Sequence, residues 1–139
     1  SAIAADILLK LAVITGRKEF EKYGQDALKS SIPMLTQYPL AAGHWLCVLD
    51  FYLDKPKEIV VVGKSESYDT KELIAEVFRH YIPNRVFVGN DIEDGTLGNL
   101  PILHMKNLVD GRATAFVCEN YVCALPSLTP ESFAKQLSI

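Results

Sequence analysis

Apolar residues recur at helical spacing near the start of the chain and predict two helices joined by a short turn. The first helix carries one apolar set: Ile3, Ile7, Leu8, Leu11 and Ile14. Gly16 stands where a glycine commonly ends a helix, and a second helix is predicted from Lys18. Its apolar face comprises Phe20, Tyr23, Ala27 and Leu28. Pro33 lacks an N–H and is expected to end this helix.

A third predicted helix has almost no polar face. Pro39 is expected to open it, because a proline at the first helical position gives up no helical hydrogen bond. From Leu40 to Leu53 it is apolar on nearly every side, as at Trp45, Leu46, Cys47, Val48 and Leu49. Such a helix is buried all round, and three helices cannot cover it. We therefore expect this chain to be a piece of a larger protein. The alternative is a dimer through the exposed helical face.

The pattern changes after Lys55. Glu58 to Gly63 is a β-branched run typical of a buried strand, and Arg85 to Gly89 reads as a second strand. Between them, a helix capped by Asp69 presents one apolar face: Leu73, Ile74, Val77, Phe78 and Tyr81. Strand, helix and strand at this spacing predict a βαβ unit with parallel strands and a right-handed crossover.

The remaining elements complete a mixed α/β fold. Residues 113–118 and 121–125 predict a β-hairpin, and Thr129 caps a last helix with Phe133 and Leu137 on its inner face. Residues 102–105 read as a short edge strand or a packed turn. The predicted architecture is a helical hairpin plus a buried helix in residues 1–55. A small α/β unit follows in residues 56–139, with a βαβ unit, a β-hairpin and a C-terminal helix.

Composition and charge narrow the classes of function. The net charge is −3, and no basic cluster exceeds Arg17-Lys18, so we expect no nucleic-acid partner. No apolar run is long enough to span a bilayer, so no membrane partner is predicted, and the start lacks a signal-peptide pattern. Three cysteines are an odd number for a secreted disulfide framework, which favours a reducing, cytoplasmic location.

Cys118 and Cys123 form the most distinctive motif. A two-residue turn at Asn120-Tyr121 would place them opposite each other as a non-hydrogen-bonded pair, with Cα atoms about 4.5 Å apart. A disulfide tolerates roughly 4.4–6.8 Å, so a reversible bond fits. The alternatives are two buried structural thiols or a metal site, although no second Cys/His pair stands at ligand spacing.

Two other groups are candidate ligand-binding residues. Lys64, Ser65 and Ser67 follow the first strand, at the edge of a parallel sheet where α/β proteins bind ligands. They lack a phosphate-binding glycine motif, and the alternative is an ordinary connecting loop. His44 and Trp45 can line a sugar cavity, or they are packing residues of the third helix. We predict no cofactor and no metal site.

Several strings resemble the C-terminal region of a family of long thioredoxin-domain-containing proteins, which includes uncharacterised bacterial members and an animal spermatogenesis-associated protein. The matching strings span residues 11–16, 56–63, 80–84 and 114–120, with Cys123, Leu125-Pro126 and residues 129–131. The resemblance implies an N-terminal thioredoxin-like domain, then an α/α toroid like that of six-hairpin glycosidases, then a small α/β piece. Residues 1–55 would be the toroid's last helices, so the resemblance implies a carboxy-terminal piece whose partners are the missing N-terminal domains of the same protein. No catalytic residue of the family maps onto this chain.

Three functional hypotheses follow, and the sequence does not decide whether the chain belongs to an enzyme. The first is a non-catalytic C-terminal module of a larger protein of unknown activity. The second is a redox element that uses Cys118 and Cys123. The third is part of a carbohydrate-active enzyme, of epimerase or glycosidase type, whose active site lies mostly outside this chain.

Overall fold

A computed structural model describes residues 1–138. The chain divides into two units, Ser1–Lys55 and the segment from Pro56 onward. The first unit is helical and the second is a small α/β unit, so the mixed α/β fold is confirmed. Assignment of the helical unit to a toroid stays a prediction.

The helical unit begins with two helices, α1 (Ala2–Thr15) and α2 (Lys18–Gln37). Gly16 ends α1 in the left-handed conformation, with φ of 68°, and donates its N–H to the Ala12 carbonyl. This confirms the predicted glycine cap. The predicted face of α1 is wrong at its start, because Ile3 and Ile7 are exposed whereas Ala5 and Leu9 are buried. Leu9 packs against Gly24 of α2, where an added Cβ would lie 2.8 Å from the leucine side chain.

Pro33 does not end α2, and that prediction is wrong. The helix continues to Gln37, and the next residue still donates its backbone N–H to the Met34 carbonyl at 2.9 Å. A proline inside a helix removes one hydrogen bond. After the proline, Leu35 is half-buried and lines the same apolar groove as Leu28. Packing of this last turn offsets the lost hydrogen bond.

The third helix starts later than predicted and is only partly covered. Pro39 begins a 3₁₀ turn, Pro39–Ala41, and the α-helix proper, α3, runs Gly43–Leu53. Only Val48 and Phe51 of α3 are buried. Leu46 is 42% exposed and Leu53 is 72% exposed. This exposure agrees with the expectation that the three helices of this chain cannot cover an almost wholly apolar helix.

The second unit is built on a four-stranded sheet in the order β2-β1-β3-β4. Its strands are β1 (Lys57–Gly63), β2 (Arg85–Asp91), β3 (Thr114–Glu119) and β4 (Val122–Cys123). β1 and β2 are parallel, as predicted, and they flank helix α4 (Tyr68–Arg79) in the chain. β3 pairs antiparallel with β1, which makes β1 a central strand and explains its nearly complete burial.

Helices α4 and α5 (Pro130–Leu137) supply the core on one side of the sheet. That cluster unites residues of β1, β3 and both helices: Ile59, Val61, Leu73, Val77, Ile82, Ala113, Ala115, Val117, Phe133 and Leu137. Thr129 caps α5 by accepting from the Ser132 N–H, and Phe133 and Leu137 are buried, as predicted. Residues Pro101–Leu103 form a 3₁₀ turn that contacts β1. Of the two predictions for this segment, an edge strand or a packed turn, the packed turn is confirmed.

Two details of α4 differ from prediction. Ser67, not Asp69, occupies the N-cap position, so Asp69 falls within the first turn. Phe78 and Tyr81 are exposed, at 61% and 85%, rather than on the buried face. Phe78 instead makes an edge-to-face contact with Phe87 of β2, with ring centroids 5.7 Å apart. In the described part of the chain, no helix has the length and apolar character needed to cross a membrane.

Candidate functional site

The hairpin of β3 and β4 positions the two cysteines. Asn120 and Tyr121 form its turn with φ of 50° and 66°, the left-handed pair that a tight two-residue hairpin requires. The Ala124 N–H donates to the Val117 carbonyl at 2.9 Å. Hydrogen-bonded and non-hydrogen-bonded pairs alternate along an antiparallel pair of strands. The cysteines are the next pair after the hydrogen-bonded Val117 and Ala124, so they form a non-hydrogen-bonded pair, as the sequence predicted.

A disulfide joins Cys118 to Cys123, and their Cα atoms are 3.9 Å apart, closer than the about 4.5 Å predicted for this pair. The two ends differ in accessibility, since Cys118 is 1% exposed whereas Cys123 lies in an exposed strand. An external thiol is therefore expected to attack the disulfide at Cys123. Cys47 of the helical unit is an exposed free thiol. Whether the pair cycles between oxidised and reduced states stays a prediction.

Glu58 stands in the same row as the disulfide. Strand register pairs Glu58 of β1 with Cys118 of β3, and Cys118 with Cys123 of β4. Directly paired residues of neighbouring strands point to the same face of a sheet. Burial raises the pKa of the Glu58 carboxyl, and the positive charge of Lys106 opposes that shift. A half-buried acid thus lies beside the buried end of the disulfide.

Lys106, on the segment that follows the 3₁₀ turn, interacts electrostatically with Glu58. Its Nζ donates to the Ile102 carbonyl at 2.8 Å. Burial lowers the pKa of Lys106, and the negative charge of Glu58 opposes the shift. Sequence reasoning missed both residues as members of a site. The one available signal was a glutamate at the start of an otherwise apolar strand.

The neighbouring carboxylate of Glu119 belongs to the other face of the sheet. It lies 3.6 Å from the Lys57 Nζ, and Lys57 also donates to the Gln136 carbonyl at the end of α5. Side chains alternate between faces along a strand. Glu119 is therefore adjacent to Cys118 in sequence but points away from the Glu58 row.

The loop after β1 holds Lys64, Ser65 and Ser67, and each has a partner within the unit. Lys64 forms an ion pair with Glu93 at 2.9 Å, which raises the pKa of its ammonium. A hydrogen bond from Ser65 lowers the pKa of Asp91. Ser67 hydrogen-bonds the Lys64 carbonyl at 2.8 Å.

Asp69 ties the same loop to the start of β3. Its carboxylate accepts from the Thr70 N–H at 2.9 Å and from the Ala113 N–H at 3.0 Å. A hydrogen bond from Ser67, together with the bonds from Ala113 and Thr70, lowers the pKa of Asp69. Two carboxylates, those of Glu93 and Asp91, act on the single lysine of this loop, Lys64, and this charge balance disfavours an anionic ligand. The geometry thus favours an ordinary connecting loop, and ligand binding there stays a prediction.

His44 and Trp45 lie in the first turn of α3. The His44 Nε2 is 3.8 Å from an Asp6 carboxylate oxygen, and Trp45 is half-buried. Neither lines the apolar groove of the helical unit. Their role in binding sugar stays a prediction. Across residues 1–138, no group of three or more His, Cys, Asp or Glu side chains is placed to hold a metal ion.

The apolar groove of the helical unit lies between α2 and α3 and encloses about 290 Å³. Its lining residues are Gln25, Leu28, Lys29, Ile32, Leu35, Thr36, Leu49 and Tyr52. Ile32 is 51% exposed and Tyr52 is 41% exposed. Aliphatic and aromatic side chains of this groove are therefore exposed to solvent. A partner that filled the groove would bury them.

Comparison with known proteins identifies long relatives. Over 139 residues the chain is 30% identical to spermatogenesis-associated protein 20 of Homo sapiens, 29% to that of Rattus norvegicus and 28% to that of Mus musculus. Each alignment covers 99% of this chain but 18% of the relative. No family model matches, and no solved structure matches significantly. The resemblance to the animal spermatogenesis-associated protein is confirmed, while the thioredoxin-like domain and the toroid stay predictions.

Proposed function

We propose that this chain is a non-catalytic module of a longer protein, which packs against further helices of the same polypeptide through the apolar groove. The observation that carries this proposal is the open groove between α2 and α3, with Ile32 51% exposed at its rim. Burying apolar surface is worth about 25 cal/mol per Å². A helix of the longer protein that filled the groove would gain this stabilisation.

The relatives support the choice of occupant. The chain spans 18% of the length of each curated relative it matches, so those proteins carry much additional sequence. The apolar surface of α3 next to the groove, including Leu46 and Leu53, would be covered by the same neighbours. A toroid of paired helices fits this requirement, because each of its helices packs between others. A second copy of the chain is the competing occupant.

Replacing Ile32 with aspartate tests this proposal. In the isolated chain we expect a loss of less than about 0.5 kcal/mol in the free energy of unfolding, since the residue is half in water. In the protein encoded by the full open reading frame we expect a loss of about 2 kcal/mol, because the charge would be buried. Urea unfolding of both forms provides the measurement.

Ser30→Asp is the matched control, since it adds the same charge at an exposed position of α2 that does not line the groove. It should behave alike in both forms. Equal small losses for Ile32→Asp in both forms would contradict the proposal. So would an open reading frame no longer than this chain. Sedimentation that shows an Ile32-dependent dimer of the isolated chain would instead favour a second copy.

A second candidate function, favoured by a different observation, is a reversible disulfide between Cys118 and Cys123. Cys123 is an exposed residue and Cys118 is a buried one, which favours attack by a thiol at the Cys123 end. We expect a dithiol reductant to open the bond in the folded protein, so that two further cysteines become alkylated beside Cys47. Mass spectrometry after labelling measures this. A bond that opens only on unfolding would identify a structural disulfide.

A further inference from the structure

The disulfide row contains an ionisable side chain beside its buried end. Glu58, Cys118 and Cys123 stand side by side on three neighbouring strands. Directly paired residues of antiparallel strands have Cβ atoms about 4.5–5.5 Å apart. A glutamate carboxyl can therefore reach the sulfur of its paired cysteine directly or through one water, the range over which a general base acts.

We propose that Glu58 is the proton acceptor for the Cys118 thiol when the disulfide closes and the proton donor to it when the disulfide opens. This inference rests on the reversible disulfide proposed above. It assigns a role to a residue that carries no motif. Cys118 is 1% exposed, so bulk water has little access to its proton. A group within the protein must move that proton if the thiol is to react rapidly.

The disulfide is reduced in two displacement steps. A thiolate of a dithiol reductant attacks the exposed Cys123 sulfur and forms a mixed disulfide, and the electron pair of the broken S–S bond goes to the Cys118 sulfur. The Glu58 carboxyl gives its proton to that sulfur and becomes a carboxylate. The second thiol of the reductant then displaces Cys123 as a thiol, so the reductant is oxidised and both cysteines are reduced. Closure is the reverse sequence.

The surroundings of Glu58 suit this exchange. Lys106 contributes a positive charge from the segment after the 3₁₀ turn, and Cys118 faces Glu58 from β3. On its other side, β2 contributes the apolar Val86. Burial raises the pKa of Glu58 toward that of a thiol, and a smaller pKa difference eases proton transfer. Lys106 balances the carboxylate that remains after the proton has left.

The test measures closure of a mixed disulfide on Cys123 in the full chain carrying Cys47→Ser. The reduced protein is treated with dithionitrobenzoic acid, which releases one coloured thiolate when it modifies Cys123 and a second when Cys118 closes the bond. At neutral pH we expect Glu58→Gln to slow the second release by about 100-fold, at the low end of general base catalysis. Glu58→Asp, which keeps a carboxylate, should recover part of this rate.

Glu119→Gln is the matched control, because it removes a carboxylate next to Cys118 that faces the opposite side of the sheet. It should change closure by less than about twofold. In the wild type the closure rate should rise with pH as Glu58 loses its proton, and Glu58→Gln should lack that inflection. If Glu58 had only a structural role, Glu58→Gln would leave the pH dependence of the closure rate unchanged.

Two failures are distinguishable. If the disulfide of the folded protein resists an excess of dithiothreitol, the reversible disulfide and the role of Glu58 are both overturned. If the bond opens and closes but Glu58→Gln and Glu119→Gln close at the same rate, only the assignment of Glu58 is wrong. Circular dichroism of each variant establishes that it is folded before its rate is compared.

Discussion

Replacing Phe133 with alanine is expected to remove about 3–5 kcal/mol from the free energy of unfolding of the α/β unit. Phe133 is 0% exposed and belongs to the cluster that joins α5 to β1 and β3. Helix α5 has eight residues, too few to be stable without packing. Loss of the ring leaves Leu137 as its remaining buried side chain, so the helix should detach early in unfolding. Urea titration followed by circular dichroism measures the change.

The matched control is Lys135→Ala, an exposed position of the same helix where we expect a change below about 0.5 kcal/mol. Trp45 lies in the helical unit, so its fluorescence should report an unchanged transition for that unit in both variants. A Phe133→Ala protein as stable as Lys135→Ala would show that α5 contributes little to the core.

Local chemistry made the hairpin and the last helix predictable. The turn residues Asn120 and Tyr121 lie at the junction of two short, mainly apolar runs, and Thr129-Pro130 is a strong helix start. Each of these elements is determined by neighbours in sequence, so no distant contact overrides them. β1 and β2 were predictable for a related reason, because their β-branched residues fit a buried strand in any register.

In the helical unit, the sequence pattern predicted neither the buried face of α1 nor the end of α2. Helix α1 is apolar on several sides, so its pattern does not select a face. The close approach of Leu9 to Gly24 determines which face of α1 is buried. Pro33 ends a helix in an isolated peptide, whereas here Leu35 packs beyond it and α2 continues. Both errors arise where contacts between helices outweigh local propensity.

The candidate site was half predictable. The cysteines are five positions apart in the sequence and their pairing follows from turn geometry. Glu58 is brought beside them only by the register of β1 with β3. No local pattern fixes that register, because α4, β2 and a long loop separate β3 from β1 in the sequence. Lys106 lies on an irregular segment whose position is decided by packing of Ile102 and Leu103.

Replacing Gly63 with alanine is expected to cost about 2–3 kcal/mol, through overpacking at the end of β1. An added Cβ would lie 2.2 Å from the Thr70 Oγ1 and 3.1 Å from the Ala113 Cβ. Thr70 is 3% exposed and hydrogen-bonded to the Ser67 hydroxyl at 2.7 Å, so it has little freedom to move away. The first turn of α4 must shift, together with the Lys64 loop.

Gly89→Ala on β2 provides the matched control for this prediction. Gly89 pairs in register with Val61 of β1, and an added Cβ would meet only the Phe87 ring at 3.8 Å. We expect a change within about 0.5 kcal/mol there, because this is ordinary van der Waals contact.

A double-mutant cycle identifies the cause of the loss at Gly63. Gly63 has no positive φ, so its replacement is opposed by the contact with Thr70 and not by backbone strain. Removing the Thr70 hydroxyl with Thr70→Ala should therefore recover at least about 1 kcal/mol of the loss caused by Gly63→Ala. Strictly additive losses would mean that Thr70 does not oppose the new methyl group. The close approach at Gly63 would then be relieved by movement of the strand, and the loop carrying Lys64 would move with it.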